Sequence, residues 1–268
     1  MTTAPIALIG GTGFYRFLDD AEDVKMTTPY GAPSAPISIG EVSGRPVAFL
    51  PRHGHNHDYL PGEVPYRANL WALRELGARQ VIAFNTVGSL QRTYRKGDFV
   101  LVDQFVDRTR GRIDSYFSGS QAAHISSAVP YCERMRETAR DALVGADATV
   151  HPNGTVVVIQ GPRFSTTAES RWFSNQGWHL VNMTQYPEVV LARELELCYA
   201  NLSYITDYDV AASEVAGGEA AEAVSHAGVL TAFNANSSRV LDMVKRIVTA
   251  LPENVDCPCQ HALDGART

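Results

Sequence analysis

Asp207 and Asp209 flank Tyr208 where an apolar run over residues 199–205 gives way to Thr-Asp-Tyr-Asp. Residues two apart on an extended strand face the same side, so both carboxylates can address one ligand. A carboxyl kept protonated by burial or by its neighbour's charge can hydrogen-bond a basic ring nitrogen and release its proton as the ring departs. A solvated acidic turn is the plainer reading. Arg52-His53-Gly-His55-Asn-His57 is the most basic polar knot in the chain. A guanidinium fork with imidazole donors suits phosphate, alternate histidines could ligate a metal, and a surface loop fits the nearby Pro61 and Pro65. Gly10-Gly-Thr12-Gly13, after the apolar residues 6–9, can offer backbone N–H groups and a hydroxyl to an anion or serve only as a turn. The dinucleotide fingerprint fails there, because Arg16 stands where the last small residue belongs. Asn85, Thr86, Gly88 and Ser89 gather uncharged donors at another strand end. Gln160-Gly-Pro-Arg163-Phe164-Ser165 leads into a helix, with Phe164 able to stack on a flat ring or join the core.

Apolar runs predict strands at 6–9, 37–42, 46–50, 81–84, 99–102, 155–159, 180–181 and 199–205. A Ser43-Gly44 turn joins the second and third. Helices are expected over 65–76, 130–144, 166–176 and 188–197, with one long Ala-rich helix over about 219–250. This alternation predicts an α/β fold: one domain with a mixed, largely parallel central sheet covered by helices. The polar clusters follow strands, where open α/β sheets bind ligands. Residues 211–221 read as a flexible loop, and 255–268 as a flexible tail.

A chain of 268 residues with net charge −6 can bury a sizeable core and lacks the basic excess that general nucleic-acid binding needs. The start carries no basic leader and no apolar run is long enough to span a bilayer, so a cytoplasmic protein is expected, with neither nucleic acid nor membrane as partner. The cysteines are Cys132, Cys198, Cys257 and Cys259, without a C-x-x-C pair. Cys257-Pro-Cys259 is expected to be reduced and loose, a metal site or strained link being the alternatives.

The ordered series GGTGF, PYGAPSAP, PRHGHNH, YRANLWALRELG, VGSL, DQFVDRT, QGPRFST, NMTQYPEVVLARE and TDYD resembles the trimeric purine nucleoside phosphorylase family, over roughly residues 6–210. The resemblance is strongest to its 5′-methylthioadenosine phosphorylase branch. It implies one phosphorylase domain over residues 1–254, a homotrimer, a nucleoside substrate and inorganic phosphate as co-substrate, with no metal or organic cofactor. It implies phosphate contacts from Thr12, Arg52, His53, Asn85, Thr86 and Thr184. Met183 would lie under the ribose, Phe164 would face the base, Asp207 would share a proton with purine N7, and Asp209 would accept from the exocyclic amine. His124 would reach a neighbouring subunit's site. His226 departs from the small apolar residue usual in this branch, so a broader 6-aminopurine nucleoside phosphorylase is the alternative. A hydrolytic nucleosidase and a non-catalytic purine-binding protein are the further rivals.

Overall fold

The computed structural model describes residues 3–18, 20–211 and 224–267. Its strands are β1 (Ile6–Gly10), β2 (Glu22–Val24), β3 (Ile37–Val42), β4 (Arg45–Pro51), β5 (Gln80–Ser89), β6 (Phe99–Leu101), β7 (Gln104–Arg108), β8 (Val150–His151), β9 (Thr155–Ile159), β10 (Leu180–Asn182) and β11 (Cys198–Tyr208). The helices are α1 (Tyr66–Glu75), α2 (Glu133–Ala142), α3 (Thr167–Asn175), α4 (Gln185–Glu194), α5 (His226–Asn234) and α6 (Ser237–Ala250).

One mixed sheet runs β2-β3-β4-β1-β5-β10-β9-β7, with β11 against β5 and β6, and β8 against β6. β5 holds it together. Residues 80–83 pair in parallel with β1, residues 88–89 pair antiparallel with β10, and β11 follows nearly its whole length in parallel. Such a strand must be apolar on both faces. Val81, Ala83 and Val87 face a core shared with Leu70 and Leu73 of α1 and Val189 and Leu191 of α4. Ile82 and Phe84 face the opposite core, built with Met135 of α2 and Val240, Met243 and Val244 of α6. Each fully buried aliphatic side chain contributes roughly 1.5–3 kcal/mol, so these two layers carry most of the fold. Among the described residues, no helix is long and apolar enough to cross a membrane.

The fold class agrees with the sequence reading, but several elements differ. The strand expected at 81–84 continues to Ser89, because its polar residues pair with β11 rather than turning. The single helix expected over 219–250 is two, broken at Ala235 and Asn236; Asn236 has φ −126° and caps α6. The loop expected at 211–221 lies almost wholly outside the described residues. The loose tail is corrected: Cys257 and Cys259 are buried, Pro258–His261 forms a short 3-10 turn, and Leu263 N bonds Glu196 Oε1 at 3.3 Å. Burial of the cysteines anchors what its polar composition made look free.

α3 starts at a complete capping box: Glu169 N donates to Thr166 Oγ1 (3.2 Å), and Thr166 N donates to Glu169 Oε2 (2.8 Å). This box fixes the loop carrying Phe164 and Ser165. Thr166→Ala should cost about 1 kcal/mol, read as a lower urea midpoint with an unchanged slope. An unchanged midpoint would show that the cap does not anchor the loop.

Candidate active site

The carboxyl ends of β1, β4, β5 and β11 and the segment before α4 converge on a cavity of about 300 Å³. Its lining includes Thr12, Arg52, His53, Asn85, Thr86 and Thr184, with Phe164, Met183, Asp207 and Asp209, and also His226 and Val229. The structure therefore gathers every expected site residue except His124. That residue is exposed, off the cavity, with its backbone N bonded to Ala266 O at 2.8 Å.

Arg52 is fully buried just beyond β4. Its Nε and Nη2 donate to Glu188 Oε2 and Oε1 at 2.7 and 2.8 Å, Nη1 to Phe84 O at 3.0 Å, and Nη2 also to Asn85 Oδ1 at 3.4 Å. Burial works against the cation, and the Glu188 carboxylate more than restores it. The sequence reading had Arg52 holding phosphate directly; the geometry spends most of its donors on Glu188 and backbone. Gly11 makes the remaining approach possible, since a Cβ there would stand 2.9 Å from Nη1 and 2.7 Å from Phe84 O. Glu188 was not singled out in the sequence. The signal was an isolated acid in the apolar start of α4, because a buried guanidinium requires such a partner.

The hydroxyl side is ordered from below. Asn85 Nδ2 donates to Thr184 Oγ1 (2.8 Å) and Asn201 Nδ2 to Asn85 Oδ1 (2.6 Å); Ser203 Oγ in turn donates to Asn201 Oδ1 (2.8 Å). These groups are buried, and a connected polar network holds one rotamer where isolated groups would cost stability. His53 Nδ1 lies 2.9 Å from Tyr59 O. A carbonyl only accepts, so Nδ1 carries the proton and Nε2 is left as an acceptor. Burial pushes the His53 imidazole down to about 3, keeping it neutral. His57 stacks on it at 4.4 Å and meets the His226 ring edge at 5.1 Å. His55 instead lines a separate recess beside Tyr15 and Phe17, so the three alternate histidines do not converge on one point.

At the other end a register shift in β11 between Ile205 and Asp207 brings Asp207 opposite Gly88. Bulges of this kind re-aim side chains beside active sites. A Cβ on Gly88 would stand 3.0 Å from Asp207 Oδ2, so glycine there makes room for the carboxyl. Burial pushes Asp207 up to about 6, against the Thr206 hydroxyl that donates to its Oδ1 at 2.7 Å. Burial also raises Asp209, against the Ser170 and Ser165 hydroxyls beside its carboxylate. A carboxyl that can hold a proton near neutrality thus stands beside a second buried carboxyl.

The Phosphorylase superfamily model matches residues 5–249. The chain is 50 % identical to S-methyl-5′-thioadenosine phosphorylase of Mycolicibacterium smegmatis, over 96 % of this chain and 95 % of that protein. It is 49 % identical to purine nucleoside phosphorylase of Streptomyces coelicolor, over 98 % and 95 %. Methylthioadenosine phosphorylase from Schistosoma mansoni, solved with adenine, superposes with a TM-score of 0.91 at 33 % identity and covers 99 % of each chain. The chain belongs to the phosphorylase superfamily.

Two outcomes follow from the charges. Glu188→Gln leaves the Arg52 cation buried without its counter-charge and should cost about 3–5 kcal/mol, measured by urea unfolding; a loss below 1 kcal/mol would place the pair in the weak surface class. Asp207 is raised on folding, so its stabilising share is present below its unfolded value near 3.8 and lost as pH rises through about 6. Asp207→Asn should therefore gain stability relative to the parent at pH 7, by up to about 3 kcal/mol, and gain little at pH 4. A gain independent of pH would deny that Asp207 resists ionisation.

Proposed function

We propose that the protein cleaves 5′-methylthioadenosine with inorganic phosphate, releasing adenine and 5-methylthioribose 1-phosphate. The observation that carries this is that the Asp207–Asp209 pair lines one cavity together with hydroxyl, amide and imidazole groups of Thr12, Thr86, Thr184, Asn85 and His53. Thr12, Thr86 and Thr184 donate to phosphate, the neutral His53 accepts from its protonated oxygen, and the buried Arg52 supplies positive field from behind. A phosphate oxygen bonds to C1′ on the face opposite the base, the C1′–N9 bond breaks through an oxocarbenium-like state, and N7 receives the proton held by Asp207. Asp209 Oδ2 accepts from the exocyclic amine. A 6-oxopurine would turn an acceptor towards that carboxylate and leave a buried group unpaired, a strong ground for rejection. Met183 packs under the ribose and Phe164 against the base. No organic cofactor has a part in this chemistry. A homotrimer, with His124 of one subunit completing a neighbour's site, belongs to the same proposal, and the exposure of His124 is compatible with it.

Relatives of nearly equal identity carry the two names methylthioadenosine and purine nucleoside phosphorylase, so the 5′ group must be decided at the site. His226 lines the cavity with Val229 one turn along α5. That placement favours a second reading in which adenosine is also cleaved, its 5′-hydroxyl bonded by His226.

Phosphate-dependent base release from methylthioadenosine, adenosine and inosine should rank inosine last by at least about a hundredfold. Asp207→Asn should lower kcat/KM for both adenine nucleosides by about 10²–10⁴ while losing much less on inosine. Full adenine activity in that variant would overturn the role of Asp207. His226→Val should depress adenosine cleavage and spare methylthioadenosine if His226 bonds the 5′-hydroxyl; equal effects on both deny it that task.

A further inference from the structure

Far from the cavity, the four cysteines of the chain come together. Cys132 precedes α2, Cys198 opens β11, and Cys257 and Cys259 bracket Pro258 in the C-terminal segment. All are buried, and their sulfurs lie within 4.8 Å of one another. Cys132 Sγ and Cys257 Sγ are 3.6 Å apart, with all four cysteines as free thiols. A tetrahedron with zinc–sulfur bonds of about 2.3 Å has edges of about 3.8 Å, so small side-chain adjustments bring the four sulfurs to that geometry. None of the four lines the cavity described above.

The surroundings match the charge such a centre would carry. A divalent ion with four thiolates is net −2, and two arginines stand against the sulfurs. Arg193 Nη1 donates to Cys259 Sγ at 3.4 Å, and its buried Nε has no partner. Against partial burial, Cys198 and Cys257 favour the Arg134 cation, raising its pKa. Its Nη2 is held by Gln80 Oε1 at 3.0 Å, while its Nε and Nη1 are buried without a hydrogen-bond partner. Buried, unpartnered N–H groups of such half-buried cations are costly beside neutral thiols and well used beside metal-bound thiolates.

We infer that Cys132, Cys198, Cys257 and Cys259 form a structural site for one zinc ion. Binding converts four thiols and Zn²⁺ into a tetrathiolate centre and releases four protons to solvent; Arg134 and Arg193 then balance the centre's net −2 charge. With every ligand position filled by sulfur, no place remains for water or substrate, so the ion staples the C-terminal segment to α2 and β11 rather than taking part in turnover.

The test uses the full chain expressed and purified without oxygen or chelator. Elemental analysis should find about one zinc per chain, and denaturation should release it with four titratable thiols. After removal of zinc under reducing conditions, cobalt(II) should restore the intense thiolate-to-metal charge-transfer bands and the ligand-field bands of a tetrahedral site, and the melting temperature should rise again. Cys259→Ser should bring the metal content below about a tenth per chain and lower the melting temperature, with nucleoside cleavage at room temperature within about twofold of the parent. If that variant fails to fold, the cobalt titration of the parent protein decides alone. Intact mass showing two disulfides in the anaerobic protein, or four free thiols that take up neither zinc nor cobalt, would overturn the assignment.

Discussion

A fully buried guanidinium is tolerated only where a carboxylate and backbone carbonyls meet it. In this protein that requirement falls on Arg52, and its partners come from different elements: Glu188 from α4, Phe84 O and Asn85 from β5, and Tyr199 of β11 through its hydroxyl on Glu188 Oε1 at 2.7 Å. The elements carrying Asn85, Thr86, Thr184 and Asp207 are thus drawn to one point. His53 follows Arg52 directly, and Thr184 precedes α4, so the pair sets the spacing of the anion cradle without itself spending many donors on the anion. Positive field at the cradle and order among its hydroxyls share one cause.

The opposite end works by a different principle. There the sheet supplies burial rather than charge: β5 narrows to glycine at Gly88, β11 shifts register, and a carboxyl enters a space where ionisation is disfavoured. A neutral His53 and a proton-holding Asp207 are both products of desolvation. The cavity thus holds a neutral imidazole and a carboxyl that resists ionisation, both set by burial.

Much of this was legible in the sequence. The TDYD segment suggested two carboxylates facing one ligand, and the glycine-rich opening and the RHGHNH knot lay just after apolar strands, where the cavity is found, because strand periodicity is a local property. What escaped were pairings across the fold. Glu188 sits in an unremarkable helical stretch until Arg52 is known to be buried. The extension of β5 to Ser89 depends on β11 lying beside it, and the break at Asn236 is a single-residue event inside a helix-favouring run. The cysteines misled for the same reason: separated by dozens of residues, they suggested a loose tail, and only the tertiary packing of α2, β11 and the C-terminal segment brings them together.

That the cradle is built for phosphate and not for water is the claim on which the account rests, and the origin of the oxygen on C1 of the released sugar tests it directly. With methylthioadenosine as substrate, phosphate and heavy-oxygen-labelled water together, mass spectrometry of the products should find sugar 1-phosphate whose C1 oxygen is unlabelled, and no free sugar. Labelled free methylthioribose, formed at the same rate with and without phosphate, would contradict the account and make the protein a hydrolase.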